Sequence, residues 1–183
     1  MRLRNIHDSF TLIEVVIVIV ILGILVITSF PNISVFNSIK FSSAGKKVLS
    51  ELRYAQSIAM SRNCYVAAQF IPSANRYSFY YCNAVDPVDC FPVSALNWPF
   101  LSDPLSGGNM TTEYSSGDYR GINLAVSNFA STDMLIFASN GTPLDGTGTA
   151  LVSNGVVRLE YDQGSIVFNV VPKTGKVYAD EAF

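Results

Sequence analysis

The sequence predicts an α+β protein: a long N-terminal α-helix packed on a C-terminal antiparallel β-sheet domain. Three observations support this. An apolar run covers residues 10–30, an amphipathic stretch continues to about Arg62, and short alternating segments separated by turn residues follow. The 183 residues have room for one domain and an accessory segment. We therefore expect a leader at residues 1–9, a helix over 10–63 and a β-rich globular domain over 64–183.

The first element is a short basic leader followed by a run of membrane length. Arg2 and Arg4 precede the run, and basic residues at this place hold an N-terminus in the cytoplasm, so the rest of the chain is exported. As a helix, the 21 residues from Phe10 to Phe30 span roughly 31 Å, close to the hydrocarbon core of a bilayer. We therefore expect the first half of the long helix to be transmembrane. A cleaved signal peptide or a plain signal anchor is the simpler alternative.

Glu14 is the only ionisable residue within this run. A carboxylate inside a bilayer costs roughly 2.5–3.5 kcal/mol and usually has a partner. Cleavage before Phe10 would create an α-amino group with a pKa of about 7.7–8.0, four residues from Glu14. That amine could belong to the same chain or to a neighbouring copy, and the second option makes Glu14 an assembly device.

The second half of the helix is amphipathic. Val48, Leu52, Ala55 and Ala59 recur at helical spacing, which predicts a stripe that packs against a sheet, and Asn63 is a plausible stop. Beyond it the pattern changes to strands, with loops and a short strand at Ile122–Val126 expected between Asn83 and Ser131. The other predicted strands are Cys64–Phe70, Tyr77–Cys82, Met134–Ala138, Val156–Tyr161, Ser165–Val171 and Gly175–Ala179.

The three cysteines lack the spacing of zinc ligands, so we expect one disulfide and one free thiol. Cys82 and Cys90 would close a short loop. The rival pair is Cys64 and Cys82, which a hairpin centred near Ser73 places roughly opposite each other. The residues alone leave this connectivity open.

Several function classes find no support in the residues. His7, in the leader, is the only histidine, so the exported part has no histidine for a catalytic dyad or a metal site. The segment from Asp145 to Thr149 lacks the clustered carboxylates of a calcium loop and predicts a flexible turn. Trp98 is expected in a satellite core rather than an exposed patch. We predict no enzyme, no cofactor and no metal.

The segment Phe10-Thr11-Leu12-Ile13-Glu14, after a basic leader and before an apolar helix, resembles the N-terminus of type IV pilins and pseudopilins. The resemblance implies that a prepilin peptidase cuts between Ser9 and Phe10 and that the new terminus is N-methylated. It gives Glu14 the role of partner to a neighbour's terminal amine. Gly23 and Pro31 fall where pilin helices are weakened or kinked, and Ser9 stands where the family normally has Gly.

Further segments resemble the GspH/FimT group of minor pilins and pseudopilins. They are the helix end 49–59, the stretch with Cys82, Cys90 and Trp98, the segment 137–143 and the closing hairpin 171–177. The resemblance implies that Cys82 pairs with Cys90.

The resemblance implies a structural subunit that enters a type IV pilus or a type II secretion pseudopilus after processing. Its implied location is the bacterial inner membrane, single-pass with the domain in the periplasm, and then the filament. Implied partners are other pilin or pseudopilin subunits, the prepilin peptidase and an inner-membrane assembly platform. A major pilin and a DNA-binding minor pilin are the alternatives. Lys173 and Lys176 are followed by Asp180 and Glu181, a poor footprint for phosphate, so nucleic acid is not an expected partner.

Overall fold

The computed structural model describes residues 11–29, 33–82, 90, 98–162 and 164–182. The chain divides into two compact units, Met1–Ser38 and Ile39–Phe183. The predicted helical region contains two helices, α1 (Leu12–Ser29) and α2 (Ile33–Arg62). Residues 30–32 between them lie outside the described residues, so a single continuous helix remains a prediction.

Helix α2 supplies the apolar stripe that the sequence predicted. Val48, Leu52, Ala55 and Ala59 are buried in one hydrophobic cluster with side chains of both β-sheets. Gly45 permits a close approach of the helix to the sheet, since a Cβ there would lie 2.6 Å from Cδ1 of Ile166. The predicted α+β fold, with an N-terminal helix on an antiparallel domain, is confirmed.

The β-rich part contains two antiparallel sheets where one was expected. The first sheet has five strands in the order β3-β2-β1-β5-β6. The hairpin of β1 and β2 turns at residues 72–75, as predicted. The strands of this sheet are β1 (Tyr65–Ile71), β2 (Arg76–Cys82), β3 (Thr111–Glu113), β5 (Met134–Phe137) and β6 (Pro143–Leu144).

The second sheet has four strands in the order β4-β7-β8-β9. A hairpin joins β7 to β8, with Tyr161 opposite Gly164. Inward-facing Ile166, Phe168 and Val170 alternate along β8 with less buried residues, as expected for a sheet with one face on a core. The strands are β4 (Asn123–Asn128), β7 (Gly155–Tyr161), β8 (Gly164–Val170) and β9 (Val177–Ala182).

The five-stranded sheet is covered on both faces. Its inner face joins α2 in the main core, through residues such as Val66 and Phe70 of β1. Its outer face carries a second cluster that includes Ala67 and Ile136 and is covered by Trp98. The prediction of Trp98 as satellite core is confirmed, and its side chain is 8% exposed.

Candidate functional site

Glu14 lies in the first turn of α1, and Thr11 caps the start of that helix. The amide of Glu14 donates to the carbonyl of Thr11 at 3.1 Å and to its side-chain hydroxyl oxygen at 3.4 Å. A threonine followed three residues later by a glutamate is the sequence of a capping box. Thr11 therefore fixes where the helix begins and places Glu14 one turn inside it, with its side chain exposed.

Helix α1 exposes apolar side chains around its circumference. Every side chain described from Leu12 to Val26 is exposed, and consecutive residues such as Ile19, Val20 and Ile21 are all more than half exposed. Since successive residues point about 100° apart, the apolar surface surrounds the helix rather than forming a stripe. A helix of this composition needs an apolar environment that its own side chains do not provide.

The other residues predicted for processing and helix weakening fall mostly outside the described part of the chain. Ser9, Phe10 and Pro31 are not among the described residues, so their roles remain predictions. Gly23 lies within α1, where a Cβ would meet no atom within 4 Å. Its role in weakening the helix also remains a prediction, based on the intrinsic cost of glycine in a helix.

The predicted membrane span is not confirmed. Among the residues that the structure describes, no helix combines the length and the apolar character needed to cross a membrane.

A disulfide joins Cys82, at the end of β2, to Cys90. This is the pair that the family resemblance implied. Both cysteines belong to the cluster on the outer face of the five-stranded sheet, together with Trp98. The bond therefore ties the chain after β2 to the sheet face that Trp98 covers.

The rival pairing of Cys64 with Cys82 is wrong, and the strand register explains why. Cys82 lies opposite Tyr65, so Cys64 is one position out of register with it. A shift of one residue moves a side chain to the other face of a sheet. Cys64 accordingly is free and buried in the main core, where burial raises the pKa of its thiol.

Three of the four segments that resemble the GspH/FimT group meet at the end of α2: 49–59, 137–143 and 171–177. The side-chain amide of Gln56 donates to the carbonyls of Gly141 at 3.0 Å and Thr174 at 2.9 Å, and Arg53 donates to the carbonyl of Val177 at 3.1 Å. A Cβ on Gly175, whose φ is +64°, would lie 2.5 Å from both the Gln56 amide nitrogen and the Gly141 carbonyl. These three distant segments therefore form one structural joint.

Sequence reasoning missed a second polar contact between α2 and the sheets. The carboxylate of Glu51 accepts from Lys47 at 2.5 Å and from the hydroxyl of Tyr77 at 2.6 Å. Burial raises the pKa of Tyr77 well above its usual value, with Tyr114 and Glu51 adding to the effect, and burial likewise raises the pKa of Tyr114. The i,i+4 spacing of Lys47 and Glu51 was the available signal; the tyrosine lies 26 residues away.

The segment from Asp145 to Thr149 forms a turn with its own hydrogen bonds. The buried carboxylate of Asp145 accepts from the amides of Thr147 and Thr149 at 2.9 and 3.0 Å, and from the hydroxyl of Thr147 at 2.6 Å. The carboxylate of Asp145 thus accepts its hydrogen bonds from within the turn. Across the described residues, no group of three or more acidic, histidine or cysteine side chains could hold a metal ion.

Lys173 and Lys176 flank the tip of the β8–β9 turn and are exposed. Asp180 follows on β9 and accepts from the side-chain amide of Asn169 at 2.9 Å. The guanidinium of Arg53 also lies beside this turn, where it donates to the carbonyl of Val177.

Comparison with known proteins bears mainly on the N-terminal segment. Residues 7–30 match the family model of the prokaryotic N-terminal methylation motif. No curated protein sequence matches the chain. A crystal structure of the type IV minor pilin FimU of Pseudomonas aeruginosa is similar, with 15% identity, a TM-score of 0.44, and coverage of 76% of this chain and 91% of that one.

The motif match confirms the resemblance to type IV pilins and pseudopilins that the sequence predicted for residues 10–14. The motif implies assembly with other pilin subunits and processing by a prepilin peptidase. The motif is also typical of membrane-anchored pilins.

Proposed function

We propose that the chain is a structural subunit, a minor pilin or minor pseudopilin of the GspH/FimT type, in a type IV pilus or a type II secretion pseudopilus. The proposal includes cleavage between Ser9 and Phe10 and N-methylation of the new terminus. The observation that carries it is the methylation motif over residues 7–30, with Glu14 in the capped first turn of an apolar helix.

Before processing, the apolar run would keep the subunit in the inner membrane. Arg2 and Arg4 would hold the leader in the cytoplasm, and the globular part would lie in the periplasm. A disulfide between Cys82 and Cys90 suits that oxidising compartment. The leader would thus be on the side of the membrane where a prepilin peptidase cuts.

Processing would change the electrostatics of Glu14. Its carboxylate is exposed one turn inside the helix and costs roughly 2.5–3.5 kcal/mol in lipid. Cleavage creates an α-amino group that is largely protonated at neutral pH. When that amine belongs to a neighbouring subunit, the ion pair compensates the charge of Glu14 and favours the filament over the lipid. An inner-membrane assembly platform would supply the energy of extraction.

The globular part would be displayed by the filament as a folded domain. Its main core joins α2 to both sheets, and its second core is fastened by the disulfide. The groups on which the proposed assembly depends lie in α1 and at the processed terminus. The role proposed for the chain is therefore structural rather than catalytic.

The test is recovery of the chain in filaments sheared from cells with and without the prepilin peptidase. We expect the chain in the sheared fraction only when the peptidase is present, because Glu14 lacks a partner without cleavage. Equal amounts of the chain in the sheared fractions of the two strains would contradict the proposal. So would retention of the chain in the membranes of peptidase-positive cells that assemble filaments. A periplasmic disulfide-bonded domain in both strains shows that export is intact.

A further inference from the structure

Met60, in the last turn of α2, differs from the other methionines of the globular part in its exposure. It is 48% exposed, whereas Met110 and Met134 are 5% and 8% exposed, each in one of the two cores. An oxidant that attacks a thioether must reach the sulfur from solvent, so exposure selects Met60 among the three. The thiol of Cys64 is buried, and burial raises its pKa, so its reactive thiolate is a minor form.

The sulfur of Met60 lies against the joint at the end of α2. A Cβ on Gly141 would lie 2.9 Å from Sδ of Met60 and 3.4 Å from Nε2 of Gln56, so the thioether and the amide flank the same glycine. Gly141 is buried, and its φ of +82° suits a residue without a side chain. Met60 therefore packs where any side chain on Gly141 would have to lie.

The hydrogen-bonding groups beside this sulfur are already paired. The side-chain amide of Gln56 has two N–H donors, and they serve the carbonyls of Gly141 at 3.0 Å and Thr174 at 2.9 Å. The amide of Gly141 donates to the carbonyl of Ala138 at 2.8 Å. A thioether is a weak acceptor and leaves these bonds intact. A sulfoxide is polar and bulkier, and would place an additional oxygen beside donors that are fully used.

We propose that Met60 is an oxidation site, and that its conversion to methionine sulfoxide by a peroxide loosens the joint. In this step the sulfur attacks one oxygen of hydrogen peroxide, an S–O bond forms, the O–O bond breaks, and the second oxygen leaves as water. The sulfur is oxidised by two electrons and the peroxide is reduced by two.

The consequence of oxidation follows from the crowding around Gly141. The new oxygen competes with the two backbone carbonyls for the N–H groups of Gln56 and occupies space beside the glycine. Segments 137–143 and 171–177 therefore separate from α2 more often. This inference goes beyond the proposed function, because it concerns the folded globular part and its test needs no filament.

The test treats the full-length chain, in detergent, with dilute hydrogen peroxide and locates the added oxygen by peptide mass spectrometry. We expect one oxygen on Met60 before Met110 or Met134 is modified. Hydrogen–deuterium exchange should become about tenfold faster or more at the amides of Gly141 and Gly175, which are bonded within the joint, and stay unchanged in the β1–β2 hairpin. The melting temperature should fall by about 2–6 °C.

Two leucine variants are the matched controls. Met60→Leu keeps an apolar side chain of similar size without the sulfur, so its exchange and melting temperature should not respond to peroxide. Met110→Leu should respond like the unaltered chain, and methionine sulfoxide reductases should restore the original exchange. Equal oxidation of the three methionines, a Met60 sulfoxide without faster exchange at Gly141, or a full response of Met60→Leu would each overturn the proposal.

Discussion

The two helices of this chain differ in where their apolar side chains lie. Helix α2 buries one stripe, including Leu52 and Ala55, against the sheets and turns serines and basic residues outward. Helix α1 is apolar around its circumference, and its described side chains from Leu12 to Val26 are exposed. A globular helix is amphipathic, whereas a helix that is apolar all round is suited to a membrane or a dense helical core. From residue 39 onward α2 therefore belongs to the folded domain, and the exposed apolar surface of α1 agrees with the assembly role proposed for it.

The polar groups of the two helices follow the same division. In α2, Glu51, Arg53 and Gln56 each bond to groups far along the same chain. In α1, Glu14 is the one ionisable residue, and its backbone is capped by Thr11. We therefore expect substitutions in α1 to alter assembly and substitutions in α2 to alter folding.

The largest effect is expected from Glu14→Gln. Glutamine can occupy the same position of the helix cap, but it removes the charge that disfavours lipid by roughly 2.5–3.5 kcal/mol. We expect recovery in sheared filaments to fall on the order of 100-fold, with the globular part still folded. Quantitative immunoblots of sheared and membrane fractions measure this, and Glu14→Asp is the charge-preserving control. Normal incorporation of Glu14→Gln would contradict the assembly role of Glu14.

Next in size is a matched pair of leucine truncations. Leu52 is fully buried in α2, so Leu52→Ala should lower the free energy of unfolding by about 2–5 kcal/mol. Leu22 is 55% exposed in α1, so Leu22→Ala should change it by less than about 0.5 kcal/mol. Urea unfolding of the full chain in detergent, followed by the fluorescence of the single Trp98, measures both. Equal effects would show that α1 shares the stability of the domain.

Gly175→Ala tests the joint at the end of α2. The substitution forces a residue with a side chain into φ +64° and brings its Cβ against Gln56 and the Gly141 carbonyl. We expect a loss of about 2–4 kcal/mol, combining backbone strain with overpacking. Gly117→Ala, where φ is +70° with no atom within 4 Å, isolates the backbone cost of about 1–2 kcal/mol. Thermal unfolding should rank the two variants in that order, and the reverse order would contradict the joint.

The smallest effect is expected in alkaline solution. The folded pKa of Tyr77 is raised, so its contribution to stability is complete below the unfolded pKa of about 10 and declines as the pH rises toward the folded value. Above pH about 10, this tyrosine should cost about 1.4 kcal/mol per pH unit. Tyr77→Phe should make the decline shallower by that amount in urea titrations followed by far-UV circular dichroism. Tyr178→Phe, on β9, is the control, and identical slopes for Tyr77→Phe and the unaltered chain would refute the assignment.

The sequence predicted the elements whose signal is local. Alternation along β7 and β8, and a hairpin centred near Ser73, were enough to place those strand pairs. Strands β3 (Thr111–Glu113) and β6 (Pro143–Leu144) were missed, because three or two residues carry no periodicity and gain their strand character from the neighbours they pair with. The division into two sheets depends on the same non-local pairing.

The candidate sites divide along the same line. The Glu14 motif is contiguous and could be found from the residues alone. The contacts of Gln56 join positions 85 and 118 residues away, so only the folded chain brings them together. Likewise, a predicted hairpin placed Cys64 roughly opposite Cys82. The exact strand register pairs Cys82 with Tyr65 instead, and this difference of one residue excludes the disulfide.

The most direct test of the central claim, that α1 is an assembly helix created by processing, is the intact mass of the chain recovered from sheared filaments. The account predicts a chain that starts at Phe10 and carries one added methyl group at its terminus, with Glu14 unmodified. A filament-borne chain that still starts at Met1 would contradict it.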